Sequence, residues 1–119
     1  MAEPKHRISD PLPYPYAGPD ALARAIEAAL RRVIDPEMAL DVVSLGLIYG
    51  VAANGASVKV TLTMTSAACP VAELIIEDIG DELLRALGDG VDVDCDLVWN
   101  PPWSPERMGA AARSAMGWD

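Results

Sequence analysis

Val58-Lys59-Val60-Thr61-Leu62-Thr63-Met64 runs through Thr65-Ser66-Ala67-Ala68 into Cys69-Pro70, after which Val71, Ile75, Ile79, Leu83 and Leu87 follow at steps of four. The first part alternates apolar and polar side chains, the period of a half-buried strand; the second has the period of a helix with one apolar face. The chain therefore passes from strand to short loop to helix, with a thiol at the junction. Proline is favoured as the first helical residue, because its missing N–H has no intrahelical partner there. That makes Cys69 the expected N-cap and sets the helix at Pro70 to about Leu87, with Gly88 as its C-terminal cap. A sulfur so placed sits beside unpaired N–H groups at the positive end of the helix dipole. This favours thiolate over thiol and lowers the pKa from about 8.5. A thiolate is what both metal binding and nucleophilic attack require.

Working back from this stretch, Leu47 to Ala52 and Ser57 to Thr65 read as a hairpin about Asn54-Gly55, a pair suited to a type I′ turn. A turn centred there pairs Val51 with Val58, Tyr49 with Val60 and Leu47 with Leu62, all on one face. Thr61, Thr63 and Thr65 then fall on the opposite face, nearer solvent or a partner. Upstream, Leu22, Ile26, Leu30 and Val33 mark a helix opened by Pro19-Asp20, with Arg31 and Arg32 in its last turn. Pro36 ends that run. Asp35 is placed to accept a hydrogen bond from the backbone two residues on. Met38 to Leu45 fits either a short helical turn or an irregular edge, and Gly46 marks a bend or a close backbone approach.

Downstream, Val91 to Trp99 alternates strictly. Val91, Val93, Cys95, Leu97 and Trp99 face one way, and Asp92, Asp94 and Asp96 the other. Cys95 is read as a small core hydrophobe. Asn100-Pro101-Pro102-Trp103 is a stiff loop. Ser104-Pro105 opens a last helix, which runs through Gly109 and ends at Gly117. The order α-β-β-α-β-α predicts an α+β, two-layer domain: a three-stranded mixed sheet with helices packed on one face. That single domain spans residues 19–119. Residues 1–18, with Pro4, Pro11, Pro13 and Pro15, read as a flexible leader; the competing reading packs Tyr14 and Tyr16 on the domain or on a neighbouring subunit.

The chain has 119 residues, of which 51% are hydrophobic, so a real core is available. Its formal charge of −9 argues against nucleic acid and anionic membranes as partners. No apolar run is long enough to span a bilayer, and the N-terminus lacks a signal-peptide pattern, so a cytoplasmic location is expected. The cysteines are Cys69 and Cys95, and the histidine is His6. With no CxxC or Cys/His spacing, a closed four-ligand zinc site within one chain is not expected.

Four ordered segments carry a resemblance: Ile34-Asp35-Pro36-Glu37; Leu45-Gly46-Leu47-Ile48-Tyr49; Leu62 through Cys69-Pro70; and Val98-Trp99-Asn100-Pro101-Pro102-Trp103-Ser104-Pro105-Glu106, continuing to Ala112-Arg113 and Gly117. On these the chain resembles the small metal–sulfur cluster biosynthesis family that includes SufT, the phenylacetate-degradation accessory protein PaaD and a eukaryotic cytosolic iron–sulfur targeting subunit. The resemblance implies a fold like the C-terminal domain of NifU-type scaffolds. It also implies an accessory role in iron–sulfur cluster assembly or delivery, with client apoproteins and the assembly machinery as partners. It places the family's reactive cysteine on Cys69, its acidic motif on Asp35 and Glu37, and its threonine on Thr65. This chain departs from many relatives in having Asn100 where they carry aspartate, and Ala67-Ala68 where they carry Pro-Gly. The cysteine-rich tail of PaaD-type members is not in this sequence, which favours a SufT-like role.

Each candidate has a structural reading beside the functional one. Asp35 and Glu37 either cap a turn or line the Cys69 pocket as ligands or proton acceptors. Thr65 either satisfies strand hydrogen bonds or brings a hydroxyl near the thiolate. Trp99 and Trp103 pack, or wall the site against water. Arg113 is a surface or capping charge, or pairs with Glu37 or Glu106. Iron–sulfur clusters usually take four protein ligands, mostly thiolates. One chain offers one site thiolate, so iron or a cluster is expected to be handled transiently, with none held tightly by the monomer, and a homodimer is expected. The chain is not expected to be an enzyme, since no general base or resolving cysteine is evident. The competing functions are a client-docking adaptor with a structural Cys69 and a thiol-dependent redox enzyme.

Overall fold

The computed structural model describes residues 12–65, 69–88, 90–115 and 117, without the side chains of Cys69 and Pro70. The elements are β1 (Tyr16–Ala17), α1 (Asp20–Leu30), β2 (Ile34–Asp35), β3 (Leu40–Asp41), β4 (Ile48–Ala53), β5 (Ser57–Leu62), α2 (Cys69–Leu87), β6 (Asp92–Leu97), a 3₁₀ turn (Pro105–Arg107) and α3 (Ala110–Ala115). The main sheet has the order β1-β4-β5-β6, with β4 and β5 antiparallel and both outer pairings parallel. Val58, Val60 and Leu62 are buried while Lys59 is exposed, so one sheet face is covered and the other open. The covered face meets Ile26 and Leu30 of α1 and Ile75, Ile79 and Leu83 of α2, all fully buried. The turn that follows α1 is tied to α2 at the surface by Arg32 and Glu82, 2.8 Å apart. This is the expected α+β architecture, with the strands of the hairpin and the acidic strand in the expected places.

The sheet has four strands where three were expected. The extra one comes from the proline-rich N-terminal segment. The Val51 N–H donates to the Pro15 carbonyl (2.9 Å), and Tyr16-Ala17 lies in parallel register with Val51-Ala52. Tyr14 is buried in the core cluster, and the Tyr16 hydroxyl donates to the Pro19 carbonyl at 2.7 Å. Residues 12–18 are thus packed on the domain, which corrects the flexible leader over that stretch; residues 1–11 lie outside the described residues. Gly18 makes the turn into α1 at φ +150°, where a β-carbon would strike the Ala53 carbonyl.

The hairpin register also differs. Val51 faces Val60 and Ala53 faces Val58, a shift of two residues from the expected pairing. The cause is the Asn54 side chain. Its Oδ1 accepts the N–H groups of Ala56 (2.7 Å) and Ser57 (2.8 Å), while the Asn54 N–H donates to the Ser57 carbonyl. The loop is therefore an Asx-stabilised turn over 54–57 and not a two-residue type I′ turn. A shift of two preserves the side-chain faces, so the same valines stay inside. A bulge between Ile48 and Gly50 then reverses the faces, burying Ile48 and releasing Tyr49 from the expected core position. Thr63, expected near solvent, is fully buried.

Met38 to Leu45 forms the end of the turn after β2, then β3 and the turn that follows it, and β2 with β3 makes a separate two-stranded ribbon. The expected last helix is broken in two. The 3₁₀ turn stops at Arg107, and the Gly109 N–H donates to the Ser44 carbonyl (2.9 Å) before α3 starts. Ser104 caps no backbone group; its hydroxyl donates to Glu106 at 2.8 Å. Trp99, at the end of the alternating stretch, is 47% exposed and lies beyond β6.

Candidate functional site

Cys69 is the first residue of α2, one position earlier than expected, and it follows β5 through residues 63–68. The strand and the helix on either side of the junction are therefore present. Ser66, Ala67 and Ala68 and the surroundings of the Cys69 sulfur lie outside the described residues. α2 runs for nineteen residues without a break, so its N-terminal end carries the accumulated peptide dipole. α2 also packs against β2, the strand that bears Asp35.

Asp35 is fully buried. Its Oδ1 accepts the Glu37 N–H at 2.8 Å and the Met38 N–H at 3.4 Å, the expected turn-capping bonds. The Ala39 N–H closes the same turn on the Asp35 carbonyl (2.8 Å), with Ala39 at φ +58°. The second carboxylate oxygen, Oδ2, is buried and has no hydrogen-bond partner among the described residues. A buried polar atom without a partner costs about 1–3 kcal/mol. The turn thus accounts for one Asp35 oxygen and leaves the other available. Glu37 is exposed, and only its backbone takes part in the turn.

A ladder of backbone bonds places the end of β5 near this ribbon. The Thr63 N–H donates to Leu47, the Leu47 N–H to Val42, and the Val42 N–H to Val33, two residues before Asp35. Thr63 Oγ1 is, like Asp35 Oδ2, buried without a partner among the described residues. Thr63 and Asp35 are the buried polar or charged residues of the described core. Thr63 was not singled out in the sequence, where it read as one of three outward threonines. Thr65 lies half-buried, four residues before Cys69 in the chain.

The remaining candidates divide. Trp103 is half-buried, and its indole N–H donates to the Leu45 carbonyl at 2.7 Å, anchoring the loop after β6 on the segment before β4. Trp99 is exposed. Arg113, on α3, forms no ion pair with Glu37 or Glu106; its Nε is buried without a partner among the described residues, and Glu106 holds Ser104 instead. Cys95 is half-buried on the covered face of β6. Burial, with Asp94 adding to it, pushes its thiol up to about 11, so it stays protonated at neutral pH. It has the character of a packing residue. Among the described residues no three His, Cys, Asp or Glu side chains converge as a metal-holding group. No helix among them is long and apolar enough to cross a membrane.

Comparison with known proteins gives a consistent result. The family model described as iron-sulfur cluster assembly protein matches residues 23–95. The chain is 37% identical over 99 residues to the Fe-S protein maturation auxiliary factor YitW of Bacillus subtilis, covering 82% of this chain and 96% of that protein. It is 37% identical over 86 residues to the Fe-S protein maturation auxiliary factor SufT of Staphylococcus aureus, covering 71% and 97%. Among solved structures, a domain of unknown function (DUF59) from Bacillus anthracis superposes with a TM-score of 0.77 at 40% identity, covering 84% of this chain and 95% of that one.

Proposed function

The chain belongs to the iron-sulfur cluster assembly protein family, and from that premise we propose that it is an auxiliary factor in iron–sulfur protein maturation whose working group is the Cys69 thiolate. The carrying observation is positional: Cys69 opens the longest helix among the described residues, seven residues after the end of β5 and within the matched span. A helix N-terminus stabilises thiolate, the form that binds iron. The buried Asp35 carboxylate, with one oxygen unused by its turn, supplies a hard oxygen donor beside the soft thiolate, or a proton acceptor, on the ribbon against α2.

Iron or a cluster is the cargo in this reading. A cluster asks for about four protein ligands. A single site cysteine holds such cargo only with ligands from the donor, the client or a second copy of this chain. Passage between partners then follows from incomplete ligation, and the protein acts without turnover of its own, in the cytoplasm. Thr65 stands four residues before Cys69 in the chain, and Trp103 fixes the segment before β4.

The test is anaerobic incubation with ferric iron and sulfide, followed by transfer to an apo-ferredoxin. Wild type is expected to accelerate the appearance of the ferredoxin chromophore, and Cys69→Ser to lose that acceleration. A Cys69→Ser protein that transfers as well as wild type would leave the adaptor reading in its place.

A further inference from the structure

A cleft of about 440 Å³ is lined by Pro13 and Pro15 of the N-terminal segment, Gly46, Ile48 and Tyr49, and Pro101 and Arg107 of the segment after β6. Arg107 stands over the Tyr49 ring, its guanidinium carbon 4.6 Å from the ring centroid. The ring is fixed from the other end as well, since its hydroxyl donates to the Pro101 carbonyl at 2.7 Å. The Arg107 backbone is held down by Gly46, whose missing side chain leaves room for the Arg107 carbonyl.

Arg107, like Lys59 and Arg113, makes no ion pair among the described residues. Arg24, Arg31, Arg32 and Arg85 each hold a carboxylate. Arg107 holds none among the described residues, and the adjacent Glu106 is turned to Ser104. Among the described residues no acidic one lines the cleft. A guanidinium stacked on an aromatic ring keeps its planar fork of donors free, the geometry that takes a carboxylate in two parallel bonds.

The walls Pro13, Pro15, Pro101 and Arg107 are all exposed, so the cleft is open. Small-molecule sites enclose most of their ligand; an open trough suits a side chain that arrives on a larger partner. Pro15 also lines a second depression of about 350 Å³, which continues along Tyr16, Gly50 and Ala52 on the bare sheet face. Lys59 and Thr61 line it too, and Asp94 and Asp96 stand beside them in register on β6, so that side has one cation against two carboxylates. An occupant carrying negative charge is therefore directed to the Arg107 end.

We propose that this trough docks an extended segment of a partner protein, with an apolar side chain between the prolines and the following carboxylate on Arg107. The partner's identity as a maturation client rests on the proposed function above; the chemistry of the trough does not.

The experiment uses the full chain and fluorescence anisotropy. The probes are fluorescein-labelled, acetylated and amidated peptides in a Gly-Ser frame, each presenting Leu, Ile, Met or Trp followed by Asp, with Asn counterparts. At least one Asp probe is expected to bind, and its Asn counterpart to bind about tenfold more weakly, as loss of a charge-assisted bond implies. Arg107→Gln is expected to remove that difference, and Arg107→Lys to restore part of it. A melting curve establishes that each variant is folded. No binding by any Asp probe, equal binding of Asp and Asn probes, or an unchanged preference in Arg107→Gln would overturn the proposal. Full displacement by inorganic phosphate would do so too, reducing the site to anion capture. Cys69→Ser is expected to bind the probes like wild type. If the probes fail while Cys69→Ser still abolishes transfer, docking falls and the maturation reading stands; the opposite pattern removes the thiolate role and keeps the dock.

Discussion

The carbonyl oxygen of Arg107 occupies the space in which a β-carbon on Gly46 would stand. Gly46 also has φ +77°, a backbone conformation that costs an L-residue about 1–2 kcal/mol. Strain and collision act together here, and they join the segment before β4 to the 3₁₀ turn. Gly46→Ala is expected to destabilise the protein by at least about 2 kcal/mol. It should also weaken the Asp-bearing peptide probes, because Arg107 must move off Tyr49. Urea denaturation checks the first and anisotropy the second; a midpoint equal to wild type would show that the turn gives way freely.

Asp35 separates structure from chemistry by its two oxygens. Asp35→Ala removes the acceptor for the Glu37 and Met38 N–H groups and is expected to cost about 1–3 kcal/mol. Asp35→Asn keeps an oxygen for the turn and should cost less. If the unpartnered oxygen serves cargo transfer, Asp35→Asn slows transfer to apo-ferredoxin while its melting temperature stays near wild type. Equal transfer by Asp35→Asn and wild type would confine Asp35 to the turn.

Cys95 gives a pH dependence of definite sign. Burial raises its thiol from 9.0 to about 11, so the folded state keeps a proton that the unfolded chain gives up earlier. Its contribution is complete below pH 9.0 and is lost as pH rises towards about 11. Urea midpoints should therefore fall more steeply across that window for wild type than for Cys95→Val. In iodoacetamide labelling near neutral pH, read by mass spectrometry, Cys95 is expected to react slowly and Cys69 rapidly.

The Arg32–Glu82 pair has the opposite sign. The Arg32 hydrogen bond, followed by that of Arg85, holds the Glu82 carboxyl below its ordinary value. The stabilisation is present above the ordinary glutamate range and is lost as pH falls through the depressed value. Arg32→Gln should lower the melting temperature at neutral pH and make no difference once Glu82 is protonated. Because the pair is exposed, added salt should shrink the neutral-pH difference.

Tyr14 anchors the N-terminal segment through its ring, while its buried hydroxyl has no partner among the described residues. Burial, assisted by nearby Glu27, raises its pKa and keeps the phenol neutral. Tyr14→Phe is expected to be neutral or slightly stabilising, since it deletes an unsatisfied polar atom. Tyr14→Ala empties a core position and should cost about 3–5 kcal/mol. A calorimetric scan distinguishes them; a large loss in Tyr14→Phe would mean that the hydroxyl is engaged.

What the sequence disclosed was what local period and local turn chemistry control. The alternation of Val58, Val60 and Leu62, the four-residue steps of α2 and the Asp35 turn all lie within a few residues of their causes. The hairpin register missed because Asn54 bonds forward to Ala56 and Ser57, an option open to Asn at any turn. β1 was hidden because two residues between prolines carry no strand period; it exists through its pairing with Val51 and Ala52. Thr63 and the Tyr49–Arg107 stack had no local signal at all. Their burial and contact are set by segments distant in the chain.

The stretch shared with the family model, 23–95, contains α2 and both strands of the hairpin but neither jaw of the trough: Pro13 and Pro15 precede it, and Pro101 and Arg107 follow it. A molecule laid out in this way can change what it grips by rewriting its two terminal segments, leaving the frame that carries Cys69 as it was.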